Sequence, residues 1–197
     1  DLIKISVGTV DNNAYLIHPG AGPAILVDAA AEPSRLKALI GNYEVGAVIT
    51  THRHQDHTGA LADIINMTGA QPWCGEPDAE AIEATTGVTC STVWDGDLFR
   101  LGDVKLDVIG LVGHTRGSIA LRLQGNPSDH VLTGDSLFPG GVGKTSGSRE
   151  FESLYTDICM KIFAPMSDTT VIHPGHGDAT TVGEERPNLP LWRARGW

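Results

Sequence analysis

The sequence has 197 residues, of which 41% are hydrophobic and 19% charged, enough for one domain with a sizeable core. Its 14 Lys and Arg residues against 24 Asp and Glu residues give a net charge of −10, which argues against a protein that follows nucleic-acid phosphates. No apolar run reaches the roughly 18 residues that a membrane-spanning helix needs. We therefore expect a compact acidic protein with no nucleic-acid or membrane partner, and the oligomeric state stays open.

The first half of the chain alternates strand-like and helix-like segments. Short apolar or alternating runs separated by turn residues predict a strand meander over Ile3–Val7, Ala14–His18 and Ala24–Val27. A helix is predicted from Pro33 to Ile40, and the continuous apolar run Val45–Thr50 predicts a buried strand. Apolar residues at helical spacing predict a second helix over Thr58–Met67.

The second half continues in the same style. Four further strands are predicted at Leu98–Leu101, Val104–Ile109, Ile119–Leu123 and His130–Leu132. A helix over Phe151–Phe163 and a last strand over Thr170–His173 follow. Because no linker divides the chain, these elements predict a single mixed α/β domain with two sheets covered by helices.

The histidines are concentrated in a few places. Six of the eight lie in three short segments, each directly after a predicted strand: Thr51–His57 (THRHQDH), Gly113–Gly117 (GHTRG) and His173–Gly177 (HPGHG). Asp135 stands at the end of another strand, in Thr133-Gly134-Asp135-Ser136. Three imidazoles and a carboxylate within six residues need solvent, partners or a cation to be stable. Imidazole and carboxylate without thiolate suit zinc, iron or manganese in an open catalytic site.

The spacing favours two metals over one. His52 and His54 lie two apart in an extended stretch and point the same way, whereas Asp56 and His57 begin the following helix and aim elsewhere. We expect two half-sites, completed by His114 and His176 from distant segments and bridged by Asp135.

The motifs HxHxDH, GHTRGS, TGDSLF and PGHG resemble the metallo-β-lactamase superfamily, and specifically its glyoxalase II (hydroxyacylglutathione hydrolase) branch. The resemblance implies a four-layer αββα sandwich as a single domain over residues 1–197, without the helical C-terminal domain of two-domain glyoxalase II enzymes. It implies that His52, His54 and His114 hold one metal, that Asp56, His57 and His176 hold the other, and that Asp135 bridges them. Asp28 matches a carboxylate that the superfamily usually carries near the site but outside the metal shell.

The same resemblance implies a metal-dependent hydrolase of small thioesters. Its cofactors are expected to be two divalent ions, zinc first, with iron or manganese as alternatives. A metal-bridging hydroxide would attack the acyl carbonyl, with Asp56 and Asp135 as catalytic residues that orient it. Lys144 lies in a loop that resembles the glyoxalase II segment whose Lys contacts the glutathione part of the substrate, so Lys144 is a candidate substrate-binding residue.

Other functions stay open at this stage. The nearest is a mononuclear iron persulfide dioxygenase, followed by a lactonase and, outside enzymes, a metal-binding scaffold protein. The opening residues lack the apolar segment of a secretory signal, so we expect a cytoplasmic location.

Overall fold

The computed structural model describes residues 1–196 and contains two six-stranded β-sheets. The strands of the first sheet are β1 (Leu2–Val7), β2 (Asn12–Ile17), β3 (Ala24–Val27), β4 (Val45–Thr50), β5 (Gln71–Gly75) and β6 (Ser91–Val93). They lie side by side in chain order, antiparallel from β1 to β3 and parallel from β3 to β6.

The second half of the chain forms the other sheet and a small hairpin. The strands are β7 (Leu98–Leu101), β8 (Val104–Gly110), β9 (Ile119–Leu123), β10 (His130–Gly134), β11 (Leu137–Phe138), β12 (Gly141–Val142), β13 (Val171–Pro174) and β14 (Thr180–Thr181). The sheet order is β14-β13-β10-β9-β8-β7, and β11 pairs with β12 separately. Because β10 and β13 are parallel, their carboxyl ends reach the same edge.

Within residues 1–196, seven α-helices connect or follow the strands. They are α1 (Pro33–Ile40), α2 (Gln55–Thr58), α3 (Leu61–Thr68), α4 (Ala79–Thr86), α5 (Ser148–Ile158), α6 (Val182–Glu185) and α7 (Leu189–Arg195). None of the helices in residues 1–196 is both long and apolar enough to cross a membrane.

Both faces of each sheet are covered. In β3, Leu26 packs into the cluster that contains α1 and α3, whereas Ile25 and Val27 pack between the two sheets. In β9, Ile119 faces the other sheet while Ala120 packs with α5. Strands buried on two faces carry continuous apolar runs, which is why these segments read as uninterrupted hydrophobic stretches. The layers confirm the predicted αββα sandwich.

Two predicted helices have different bounds in the structure. The helix expected over 58–67 begins only at Leu61, as α3, and is separate from α2, because the Ala60 N–H donates at 2.9 Å to the carbonyl oxygen of Ala29 rather than to the preceding helical turn. The helix expected over 151–163 begins earlier, at Ser148, and its last turn, Cys159–Phe163, is a π-helix. The helices α4, α6 and α7 and the strands β5, β6, β11, β12 and β14 were not predicted. The helix α7 buries Trp192 against Phe163.

Candidate metal centre

Three histidines converge at the edge where the two sheets meet. His52 and His54 follow β4 in the first sheet, and His114 lies in the loop between β8 and β9 of the second. The Nδ1 atom of His54 lies 3.0 Å from Nε2 of His52 and 3.0 Å from Nε2 of His114. We call these residues the three-histidine cluster.

A second group lies beside it and contains two carboxylates. Asp56 and His57 belong to α2, Asp135 follows β10, and His176 follows β13. Nε2 of His176 lies 3.2 Å from Nε2 of His57 and 3.3 Å from a carboxylate oxygen of each aspartate. In each of the two groups all potential ligand atoms lie within 4.8 Å of one another. We call this group the carboxylate cluster.

Asp135 stands between the two groups. Its Oδ2 lies 3.3 Å from Nε2 of His176 and 3.8 Å from Nε2 of His114. The structure therefore brings together all seven residues expected from the sequence, and their individual roles as metal ligands stay predictions.

The inward-facing atoms fit divalent cations. Imidazole nitrogens 3.0–3.2 Å apart repel each other unless a proton or a cation lies between them. The buried Oδ1 of Asp135, although 3.2 Å from Nε2 of His57, lacks a well-formed hydrogen bond. A buried carboxylate oxygen without a donor is costly, and a metal would satisfy it. This His/Asp cluster is suited to divalent metals.

Contacts on the outer side of the rings orient them. Nδ1 of His114 lies 2.7 Å from the carbonyl oxygen of Lys144, and Nδ1 of His176 lies 2.8 Å from that of Val10. An Nδ1–H that donates to a carbonyl leaves Nε2 deprotonated and free to bind a metal. His57 is held differently, with Nδ1 2.8 Å from a carboxylate oxygen of Asp28.

The two groups differ in their affinity for protons. Burial and the neighbouring imidazoles lower the pKa of His52 and His54. Burial also lowers the pKa of His57, but the carboxylates of Asp28 and Asp135 outweigh it and raise that pKa to about 10. The hydrogen bond to Asp135 raises the pKa of His176. Burial alone would raise the pKa of Asp135, but its contacts with the imidazoles of His176 and His57 lower it.

Two buried aspartates hold the ligand-bearing loops. Asp28 has a left-handed backbone (φ 59°) after β3, and its carboxylate accepts hydrogen bonds from the backbone N–H of Thr51 at 2.7 Å and the Thr51 hydroxyl at 2.8 Å. Asp78 precedes α4 and accepts hydrogen bonds from the Arg53 N–H at 3.0 Å, the Thr115 hydroxyl at 2.6 Å and the Gly117 N–H at 3.0 Å. Asp78 thus ties together the loops that carry His52, His54 and His114.

Asp78 was not among the site residues predicted from the sequence. It lies in Glu76-Pro77-Asp78, a turn that contains no histidine. Its partners are more than twenty residues away in either direction, so no local pattern indicates its role.

Gly175 shows how closely the segments approach one another. A β-carbon at this position would collide with Oδ1 of Asp135 and lie 2.7 Å from the ring of His57. The segment between β13 and His176 can therefore reach the carboxylate cluster only with glycine at this position.

Lys144 lies in the loop that follows β12. Its side chain is exposed, and its carbonyl oxygen faces His114. The backbone of this residue therefore supports the three-histidine cluster, and a contact of its side chain with substrate stays a prediction.

An αββα sandwich with a His/Asp cluster at one edge defines a class of metal-binding protein, and sequence comparison agrees. The model of the metallo-β-lactamase superfamily matches residues 7–182, and the chain belongs to this superfamily. Its members are generally metal-dependent hydrolases.

Individual proteins show the same relationship. The chain is 27% identical to the hydroxyacylglutathione hydrolase GloC of Haemophilus influenzae over 97% of each chain. It is 26% identical to TTHA1623, crystallised in a di-iron-bound form, with a TM-score of 0.78 over 96% of this chain and 99% of that one. The B3 metallo-β-lactamase BLEG-1, at 22% identity and a TM-score of 0.83 over 98% of this chain and 99% of that one, shows the shared fold.

Proposed function

We propose that this protein is a dinuclear metal-dependent hydrolase of small thioesters, similar in activity to the hydroxyacylglutathione hydrolases. The observation that carries the proposal is the placement of Asp135 between the two clusters, with one carboxylate oxygen near histidines of both. A structural metal needs only four ligands, and a second cluster beside the first is typical of hydrolytic sites with two ions. The similarity to GloC over nearly the whole of both chains supports thioesters as the substrate class.

The residues of the two clusters would hold the ions. His52, His54 and His114 offer three nitrogens to one, while Asp56, His57 and His176 offer two nitrogens and a carboxylate to the other, with Asp135 shared. Divalent metals bound there would supply a Lewis acid for the carbonyl oxygen and a water molecule with a pKa lowered towards neutrality. The nitrogen and oxygen donors suit zinc, which we propose as the metal, and also suit iron and manganese.

The protein's own carboxylates have the geometry to handle the attacking water. Asp56 and Asp135 both point at Nε2 of His176 from 3.3 Å, so a water molecule between the clusters would meet a carboxylate on two sides. These groups can orient its lone pair towards the acyl carbon and accept its proton. Asp56 is suited to passing that proton to solvent, because its side chain is 42% exposed whereas that of Asp135 is 13% exposed.

A thioester places little demand on a general acid. A thiolate leaves without prior protonation because the pKa of a thiol, about 8.5, is far below that of water. The substrate class and the residues of the site are therefore consistent, since the proposed mechanism requires no dedicated acid.

The first test is metal content per chain on freshly purified protein, measured beside the hydrolysis of S-lactoylglutathione. Two metals per chain with turnover that a chelator abolishes and added zinc or iron restores would support the proposal. One iron per chain with oxygen uptake on a persulfide would instead establish a dioxygenase, and turnover of lactones alone a lactonase. Metal-loaded protein that is inert towards all three substrates would establish a non-catalytic role.

A further inference from the structure

A cleft of about 440 Å³ opens directly beside the three-histidine cluster. His114 belongs to both, so any molecule bound at the cluster can extend into the cleft. The loop after β4, the loop between β8 and β9, and the first turn of α5 form its walls. Arg53, Arg116 and Arg149 contribute one side chain from each of these segments.

These arginines are exposed, and within residues 1–196 none of the three guanidinium groups forms an ion pair or a hydrogen bond. Other arginines are paired, such as Arg122 with Asp129 and Arg186 with Asp168. One acidic residue, Glu150, lines the cleft beside the three cations. In a chain with a net charge of −10, an excess of unpaired cations at one place is unusual.

Other clefts of the molecule lack this excess. On the opposite side of the centre, the cleft between the β1–β2 turn and α2 has Asp56 as its charged residue. A more distant cleft near the chain start places Arg100 and Lys105 among three aspartates. Positive charge is therefore concentrated on the side of the centre where His114 lies.

We infer that the arginine cleft is a subsite for an anionic group of the substrate, a carboxylate or a phosphate on the portion that extends past His114. The inference rests on the proposed function and adds to it the charge of the preferred thioester and the direction in which it lies. Guanidinium groups suit this role because their planar forks bind carboxylate and phosphate oxygens through paired hydrogen bonds.

The direct test is binding, measured without turnover. Metal-loaded protein is titrated by calorimetry with three thioethers that cannot be hydrolysed: S-methylglutathione, which carries carboxylates, S-methyl-coenzyme A, which carries phosphates, and neutral S-methyl-N-acetylcysteamine. We expect a charged thioether to bind at least about tenfold more tightly than the neutral one, as two or more charge-assisted contacts predict. Tighter binding of S-methylglutathione identifies carboxylate as the recognised group, and tighter binding of S-methyl-coenzyme A identifies phosphate.

Arg116→Gln and Arg149→Gln, singly and together, test whether the cleft is responsible. The double variant should lose the preference for the charged thioether and leave the binding of the neutral one unchanged. Arg100→Gln is the matched control, because Arg100 is also exposed but lies on β7 away from the centre. Equal binding of charged and neutral thioethers by the wild-type protein, or equal losses in the Arg100 and Arg116/Arg149 variants, would overturn the inference.

Turnover separates this inference from the proposed function. With the corresponding S-lactoyl thioesters, the double variant should raise KM for the charged substrate about tenfold while kcat and the neutral substrate are little affected. A wild-type protein that binds the charged thioether through these arginines but hydrolyses no thioester would contradict the proposed function and leave the anion subsite intact. A protein that hydrolyses charged and neutral thioesters equally well would support the proposed function and contradict the anion subsite.

Discussion

The two clusters of the centre lie side by side but are constructed differently. The three-histidine cluster joins the two sheets and has nitrogen ligand atoms, with pKa values lowered at His52 and His54. The carboxylate cluster contains Asp56 and Asp135, and its histidines have raised pKa values. His52 and His54 can therefore accept a cation without losing protons, whereas His57 and His176 must release protons to bind one. Adjacent sites in one centre can thus differ in affinity through the groups around them.

The largest effect should come from the residue that the clusters share. Asp135→Asn keeps the shape of the side chain but removes the charge between them. We expect kcat/KM for S-lactoylglutathione to fall by roughly a thousandfold, because several kcal/mol of charge stabilisation depend on two correctly held ions. Metal content, measured by mass spectrometry, should fall below that of the wild-type protein. A variant that retained full metal content and full activity would contradict the bridging role.

Removing one histidine from either cluster should empty the metal site of that cluster and leave the other site occupied. His54→Ala should empty the three-histidine site and His176→Ala the carboxylate site, leaving about one metal per chain and lowering turnover about a hundredfold in each case. Cobalt substitution with absorption spectroscopy can identify the remaining site from its ligand field. If each variant lost both metals, the two clusters would bind metal as a single cooperative unit and would not be two separate sites.

The two buried aspartates provide a finer comparison, because Asp28 contacts His57 of the carboxylate cluster directly, whereas Asp78 contacts only the loops that carry the three-histidine cluster. Asp28→Asn weakens the partner of His57, so metal affinity of the carboxylate cluster should fall about 10- to 100-fold. Asp78→Asn loosens the loops of Arg53 and Thr115, so the loss should fall on the three-histidine cluster and on thermal stability. Metal titrations and melting curves of both variants test the difference. Identical effects of the two substitutions on both metal sites would show that neither aspartate supports one cluster more than the other.

The smallest predicted effect is a difference in pH dependence. The pKa values of His57 and His176 are raised in the metal-free protein, so a metal entering the carboxylate cluster displaces protons, and its affinity should fall as the pH falls. The pKa values of His52 and His54 are lowered, so both are already neutral and the three-histidine cluster should respond less. In competition with a chelator as the pH falls from about 8 to about 6, the metal of the carboxylate cluster should leave before that of the three-histidine cluster. Parallel loss of both metals would contradict the prediction.

Much of the fold could be predicted from local patterns. Strands such as Val45–Thr50 and Ala24–Val27 are continuous apolar runs because both sheet faces are covered, and their bounds in the structure agree with the prediction. The helix α4 was missed because Ala79–Thr86 buries only Ile82 and so lacks a clear apolar stripe. The division between α2 and α3 was missed because it depends on a hydrogen bond from the Ala60 N–H to the carbonyl oxygen of Ala29, about thirty residues earlier in the chain.

The sequence by itself determined which groups can bind metal, because HxHxDH places four potential ligands within six residues and their chemistry is local. It also determined that the other candidate ligands follow strand ends, as His114, Asp135 and His176 do. Only the tertiary structure decided how those strand ends meet, how Asp28 and Asp78 hold the loops, and that Arg53, Arg116 and Arg149 form one cleft. These arrangements join residues far apart in the chain, and their geometry follows from the packing of two sheets rather than from any local pattern.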